Sequence, residues 1–176
     1  MVVVDFNQNH FEIFQLAISF DLDLEDLSKR YRKIQAGVHP DKFVNATDYE
    51  RRLSLQWATQ VNAAYQILSS DLARAIYILE ISGVPLQENP QLPSDFLIEQ
   101  IERREVLDEI SKISRSPEAL ATYREELEKC IKDYFKEFSE SYLTNLSLAE
   151  MIIYKLQFFT KLRFQVNKIE EQILGY

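Results

Sequence analysis

Apolar residues recur every three or four positions along most of the chain, which is the spacing of one face of an α-helix. In the first half, this spacing predicts a short helix in which Phe11, Phe14 and Ile18 share a face, followed by three longer helices. The predicted ranges are 10–18, 23–36, 48–69 and 71–81. The third has the most complete apolar stripe, which comprises Leu53, Trp57, Val61, Ala64 and Leu68.

The second half predicts three further helices with short connections between them. They begin at Ser94 or Asp95, at Ser116 and near Ser147, and they end near residues 113, 143 and 174. Ser116 followed by Pro117 is an N-cap and first-turn pair, which fixes the start of the middle one. Long helices with short connections are typical of an antiparallel bundle, so the predicted fold class is all-α.

One segment between the two sets of helices has a different composition. Residues 82–95 read SGVPLQENPQLPSD and hold three of the five prolines. Proline lacks a backbone N–H and disfavours the helical conformation in the residue before it, so this segment predicts a linker. The expected division is a first domain at 1–81, a linker at 82–95 and a second domain at 96–176.

Composition narrows the classes of function. The chain has 176 residues, a net charge of −8 and only three glycines. An acidic protein is a poor candidate for nucleic-acid binding, and scarce glycine argues against a glycine-rich phosphate cradle. Cys130 is the single cysteine and His10 and His39 the only histidines, so we expect no metal site and no cofactor. Since no stretch approaches the roughly 20 apolar residues of a membrane span and no targeting signal is visible, we expect a cytoplasmic protein.

The helix predicted at 23–36 carries an unexpected cluster of positive charge. Lys29, Arg32 and Lys33 lie opposite its apolar face, and Arg30 flanks them. An ordinary solvated surface is one explanation. The other is that this basic face meets an acidic partner, which its contrast with the acidic chain as a whole suggests.

The same helix leads into the sequence His39-Pro40-Asp41-Lys42. Pro40 disfavours a helical conformation at His39, so His39 and Asp41 are expected on a loop. A histidine and a carboxylate can perform acid–base chemistry, but no nucleophile, metal cluster or glycine loop accompanies them here. The alternative is recognition, in which the carboxylate accepts hydrogen bonds from an arginine of a partner.

These features resemble a DnaJ-type J domain: a basic helix, the HPDK sequence at 39–42, and a helix containing NAAYQIL at 62–68. The resemblance implies that the loop and the basic face dock onto a DnaK-class chaperone and accelerate its ATP hydrolysis. Asp41 would then engage an arginine of the chaperone, and His39 and Pro40 would hold the shape of the loop. The chain has no Walker A motif of its own, so we expect that it is not an enzyme.

The first helix of the second half has two apolar faces. One face comprises Phe96, Val106, Leu107, Ile110 and Ile113; the other, confined to the first two turns, comprises Leu97, Ile98 and Ile101. Either the linker or the J domain covers this second face, or it binds a partner. On the last helix, Phe158 lies at the edge of the buried stripe, and Ile153 and Phe164, nearly opposite that stripe, are candidates to extend the same patch.

Nearly the whole chain resembles the HscB family, the J-protein co-chaperones of iron–sulfur cluster assembly. The supporting residues are HPDKF at 39–43, FLIEQIERREVLDEI at 96–110 and YKLQFFTKLR at 154–163. The resemblance implies an N-terminal J domain, an antiparallel helical hairpin with flanking helices, joined to a C-terminal three-helix bundle. Its partners would be an HscA-type chaperone and an IscU-type scaffold protein.

Within that resemblance, each predicted partner has its own residues. The expected scaffold contacts are Leu97, Ile98, Ile101 and Phe158, with Glu102, Arg104 and Glu105 as polar neighbours; the expected chaperone contacts are Lys29, Arg30, Arg32, Lys33, His39, Pro40, Asp41 and Lys42. Some family members also carry an N-terminal tetracysteine metal module, which this chain lacks. An alternative is a J protein dedicated to a different client, which the bundle would bind instead of the scaffold.

Overall fold

The computed structural model describes residues 5–38, 47–114 and 116–174, with the backbone alone at 113, 114 and 174. Within these residues the structure is helical and contains no strand, which confirms the predicted all-α class. The helices are α1 (His10–Ile13), α2 (Leu24–Val38), α3 (Asp48–Ser69), α4 (Asp71–Ile81), α5 (Ser94–Glu109), α6 (Pro117–Ser141) and α7 (Leu146–Leu174). A π-helical turn, Ile110–Ser114, continues α5.

Side-chain caps begin the helices close to the predicted positions. The Asp23 carboxylate accepts hydrogen bonds from the backbone N–H groups of Glu25 and Asp26 at 2.9 and 3.1 Å, as an N-cap of α2 should. The Ser116 hydroxyl accepts one from the Ala119 N–H at 3.2 Å, with Pro117 in the first turn of α6. The ranges of α3 and α4 agree with the predicted ones. Local capping chemistry therefore determines where these helices begin.

The predicted helix at 10–18 is wrong in its length. A capping box between Asn9 and Glu12 starts α1, but the helix ends at Ile13. Gln15 adopts the left-handed conformation, with φ of 54°, and the Leu16 N–H donates back to the Phe11 carbonyl at 2.9 Å. This is a Schellman C-cap, so Ile18 falls outside the helix and is exposed.

The chain divides into two compact units, Met1–Ile78 and Leu79–Tyr176. In the first unit, α2 and α3 form the predicted antiparallel hairpin: the rings of Tyr31 and Tyr65 stack with centroids 4.1 Å apart. At the other end of the hairpin, the Ser54 hydroxyl donates to the Val38 carbonyl at 2.9 Å. The fully buried side chains of this unit include Phe11, Phe14, Leu27, Val61 and Leu68.

In the second unit, α6 and α7 pack antiparallel. Arg124 of α6 pairs with Glu170 near the end of α7, and the rings of Tyr134 and Phe159 lie 5.3 Å apart further along. α5 joins this pair through Phe96, whose ring contacts both Phe158 and Phe159. The core of the unit includes Leu107, Leu127, Phe138, Ile152, Leu156, Phe159 and Val166.

Two properties of the described residues bear on the classes of function. None of the helices in the described ranges is long and apolar enough to cross a membrane. Over the same part of the chain, no group of three or more histidine, cysteine, aspartate or glutamate side chains could hold a metal ion.

Candidate partner-binding surfaces

The basic face of α2 lies on the exposed side of the α2–α3 hairpin. Lys29, Arg32 and Lys33 are exposed, whereas Leu27 on the opposite face is fully buried. Lys29 pairs with Glu25 of the same helix, with Nζ and Oε1 2.8 Å apart and both side chains largely exposed. An exposed pair of this kind contributes little to stability, so Lys29 can exchange Glu25 for an acidic group of a partner.

Arg30, which the sequence places beside this face, has a structural role instead. Its Nε donates to Asp26 at 2.8 Å, and its Nη1 donates to the carbonyls of Phe14 and Gln15 at 3.0 and 3.1 Å. These carbonyls belong to the C-terminal cap of α1. The guanidinium therefore ties α1 to α2, and it is committed within the first unit.

The predicted loop residues His39, Pro40, Asp41 and Lys42 lie outside the described residues. The helices on either side of that segment are held in defined positions. Val38, the last residue of α2, is tied to Ser54 of α3, and a capping box between Thr47 and Glu50 starts α3.

On α5, the structure separates the two predicted faces. Leu97, Ile98 and Ile101 are 39, 56 and 58% exposed, whereas Phe96 and Leu107 are buried. We call these three exposed residues the α5 patch. Val106 was predicted on the core face, and this is wrong: it is 48% exposed, because the buried face is a narrow stripe that excludes it.

Phe158 of α7 is half-buried, and its ring meets that of Phe96 edge-on, with centroids 5.7 Å apart. Since Phe96 immediately precedes Leu97, the structure brings Phe158 to the same end of α5 as the patch. The other two candidates on α7 have opposite outcomes: Phe164 is exposed, but Ile153 is fully buried and cannot extend the patch.

The predicted polar neighbours Glu102, Arg104 and Glu105 are all exposed. The side chains of Arg104 and Glu105 form no hydrogen bond or ion pair with another described residue, so both charges are available to a partner. Arg103, between Glu102 and Arg104 in sequence, contacts the bundle instead: it donates to Glu99 at 2.8 Å and lies over the Phe159 ring. Nearby, the Tyr123 hydroxyl donates to the Arg103 carbonyl at 2.9 Å. Burial raises the pKa of Tyr123, which keeps this donor neutral.

A groove of about 580 Å³ opens between the C-terminal part of α5 and α7. Its α5 side includes Ile101, Arg104 and Glu105, three of the predicted scaffold contacts. Its α7 side comprises Gln165, Lys168, Ile169 and Gln172, which the sequence analysis missed. These positions follow Phe158 at helical spacing, so extending the wheel along α7 would have found them.

Comparison with known proteins gives a consistent result along the chain. The model of the HSCB C-terminal oligomerisation domain family matches residues 92–167. The co-chaperone protein HscB homolog of Vibrio parahaemolyticus is 35% identical over 170 residues, which is 95% of this chain and 99% of that protein. The homolog of a Shewanella species is 35% identical over 175 residues, 94% of this chain and 99% of the relative.

Two solved structures are similar to the whole architecture. The chaperone HscB from Vibrio cholerae has a TM-score of 0.86 at 33% identity, covering 94% of this chain and 99% of its own. The human co-chaperone protein HscB has a TM-score of 0.87 at 26% identity, covering 94% of this chain and 83% of its own. Both the first and the second unit therefore have counterparts in these proteins.

Proposed function

The chain belongs to the HscB family of co-chaperones, and from this premise we propose that it joins two proteins in the cytoplasm. Membership gives it a co-chaperone role in iron–sulfur cluster assembly and the family's architecture, an N-terminal J domain followed by a C-terminal helical domain. In our proposal it stimulates the ATPase of an HscA-type, DnaK-class chaperone and delivers an IscU-type scaffold protein to it. The ATP hydrolysis belongs to the chaperone.

The α5 patch is the observation that carries this proposal. Leu97, Ile98 and Ile101 expose apolar surface on a helix that already buries a complete stripe in the bundle. Such surface costs free energy in water and is typical of a site that a partner covers. Phe158 at the same end of α5 adds an aromatic side chain, and aromatic residues are enriched among the dominant contacts of protein interfaces.

The chaperone site in our proposal combines the basic face of α2 with the loop sequence His39-Pro40-Asp41-Lys42. Lys29, Arg32 and Lys33 would meet an acidic surface of the chaperone, and this attraction between opposite charges favours fast association. Arg30 is the weakest member of the predicted set, because its guanidinium already serves the α1 cap. We place the J domain at 1–81, the linker at 82–95 and the bundle at 96–176; the compact units divide one turn earlier, inside α4.

The test is a steady-state ATPase assay of an HscA-type chaperone with this protein, with an IscU-type scaffold, and with both. We expect stimulation by this protein alone and a larger, synergistic stimulation when the scaffold is added. An additive result would contradict delivery of the scaffold. Stimulation without any binding of the scaffold in calorimetry would indicate a different client.

Two variants separate the two sites. Asp41→Ala should abolish the stimulation and leave scaffold affinity unchanged; this expectation rests on the sequence motif. The double variant Leu97→Ala with Phe158→Ala should weaken scaffold affinity at least tenfold, since two interface side chains are truncated, and should leave the basal stimulation intact. If the two variants had the same effect on both measurements, the assignment of separate sites would be wrong.

A further inference from the structure

The α5 patch is continuous with the groove between α5 and α7, because Ile101 belongs to the patch and also lines the groove. We infer that the scaffold-binding surface continues into this groove, which receives a segment of the scaffold carrying an apolar side chain next to a carboxylate. The inference rests on the proposed function and extends its scaffold site to α7.

The apolar part of the groove accounts for the first half of this recognition. Leu107 is buried, Ile169 is half-buried, and Ile101 connects both to the patch. The groove has a volume of about 580 Å³ and is open to solvent, as a surface that receives a segment of a partner protein must be. If one apolar side chain of the scaffold contacts Ile101, a second apolar side chain of the same segment can therefore enter the groove.

The charges along the groove account for the carboxylate. Asp108 is neutralised by Lys112 of the same helix, with Oδ2 and Nζ 2.6 Å apart. Arg104 and Lys168 both line the groove and form no ion pair with a described residue, whereas Glu105 is the one unpaired acidic side chain among its described lining residues. The charged lining residues alone sum to zero, two cations and two anions; with Lys112 counted beside Asp108, three cations face two carboxylates, and this local excess on an acidic protein favours an acidic group of the partner.

The experiment measures the affinity of the full chain for an IscU-type scaffold by calorimetry. Gln165→Trp fills the groove from α7 with no change in charge, and we expect about a tenfold weaker affinity, as for loss of one well-packed contact region. Lys168→Glu should also weaken binding, by an amount that shrinks as salt is raised. Lys132→Glu is the matched control: the same charge reversal at an exposed position of α6, with an expected change of less than about twofold.

The outcomes separate this inference from the proposed function. If Leu97→Ala weakens binding while Gln165→Trp and Lys168→Glu do not, the groove inference is overturned and the scaffold site on α5 stands. If the unmodified chain does not bind the scaffold at all, the proposed function fails and the inference falls with it. Sedimentation gives the oligomeric state of each variant, and circular dichroism shows whether the variant keeps its helical structure. A dimer of the unmodified chain that Gln165→Trp dissociates would show that a second copy fills the groove, and would also overturn the inference.

Discussion

At the scale of single residues, Arg74 at the start of α4 holds the first unit together. Its Nε donates to the Phe20 carbonyl at 2.8 Å, its Nη1 to the Leu68 carbonyl at 2.5 Å and its Nη2 to Asp71 at 2.6 Å. The guanidinium also lies over the Phe20 ring, 5.0 Å from its centroid. One planar cation thus satisfies the end of α3, the segment before α2 and a carboxylate of α4 at once.

Arg74→Ala should lower the free energy of unfolding by about 3 kcal/mol, because the carboxylate and two carbonyls lose their buried donor. Arg74→Lys should recover little of this, since an ammonium cannot reproduce the planar fork. Urea denaturation followed by circular dichroism measures both. Arg51→Ala is the control: its pair with Asp48 is exposed, and the change should stay within about 0.5 kcal/mol.

Gln100 in α5 presents the opposite case, a buried polar side chain without partners. It is 3% exposed, and neither its amide nitrogen nor its amide oxygen finds a hydrogen-bond partner among the described residues. A buried amide that lacks hydrogen bonds is destabilising.

Gln100→Met keeps the length of the side chain and removes both unpaired groups. We expect the free energy of unfolding to rise by about 1 kcal/mol, measured by thermal and urea denaturation. A loss of stability in this variant would mean that the amide is satisfied in solution, and scaffold affinity should not change.

At the scale of the helices, the start of α3 depends on a reciprocal pair of caps. The Thr47 hydroxyl accepts from the Glu50 N–H at 3.2 Å, and the Glu50 carboxylate accepts from the Thr47 N–H at 2.9 Å. The Thr47 N–H and the Thr47 hydroxyl both donate to the Glu50 carboxylate, which favours its ionised form and lowers the pKa of Glu50.

Thr47→Ala should destabilise the chain by about 1 kcal/mol at neutral pH, as loss of an N-cap does. Because the pKa of Glu50 is lower in the folded than in the unfolded chain, its contribution is present at neutral pH and is lost as pH falls through the folded-state pKa. Thr47→Ala removes the hydroxyl that donates to this carboxylate but keeps the backbone N–H, so the melting temperatures of the unmodified protein and the variant should draw closer, without meeting, between neutral and acidic pH. A difference that does not change with pH would show that the Thr47 hydroxyl does not stabilise the Glu50 carboxylate.

The sequence predicted the starts of those helices that local capping residues determine. It predicted the exposed surfaces of α5 and α7 only in part. Asp23, Ser116 and Pro117 mark helix starts by themselves, and the structure has these starts. The spacing of apolar residues in the sequence gives the direction in which a side chain leaves its own helix axis. It does not say which other helices pack in that direction. For that reason the wheel separated Leu97 from Phe96 correctly but gave Ile153 to the surface. It missed the groove, because the groove is formed by residues of two helices, α5 and α7, together.

At the scale of the whole molecule, the two proposed sites differ in the force that each relies on. The chain carries a net charge of −8, yet α2 gathers Lys29, Arg32 and Lys33 on one exposed face. Attraction between such a face and an acidic partner weakens as salt shortens the screening length from about 10 Å at 0.1 M to about 3 Å at 1 M. Contact through the apolar α5 patch does not weaken in this way.

We therefore expect added salt to reduce the ATPase stimulation strongly and scaffold affinity only weakly. Lys33→Glu should reduce the stimulation several-fold at low salt and have a smaller effect at high salt. The assay measures, at several salt concentrations, the concentration of this protein that gives half-maximal stimulation of the chaperone's ATPase. Lys132→Glu on α6 is the control. Equal salt dependence of the two interactions would contradict the proposed division of forces.

A hydrogen bond ties the connection between α4 and α5 to the bundle: the Gln87 N–H donates to the Tyr154 hydroxyl at 2.6 Å, and that hydroxyl donates to Glu150 at 2.8 Å. The tie uses the backbone of Gln87 and the side chain of Tyr154. Position 87 should therefore tolerate many more substitutions than position 154. Position 87 can accept almost any amino acid except proline, whereas even phenylalanine at position 154 would abolish this hydrogen bond.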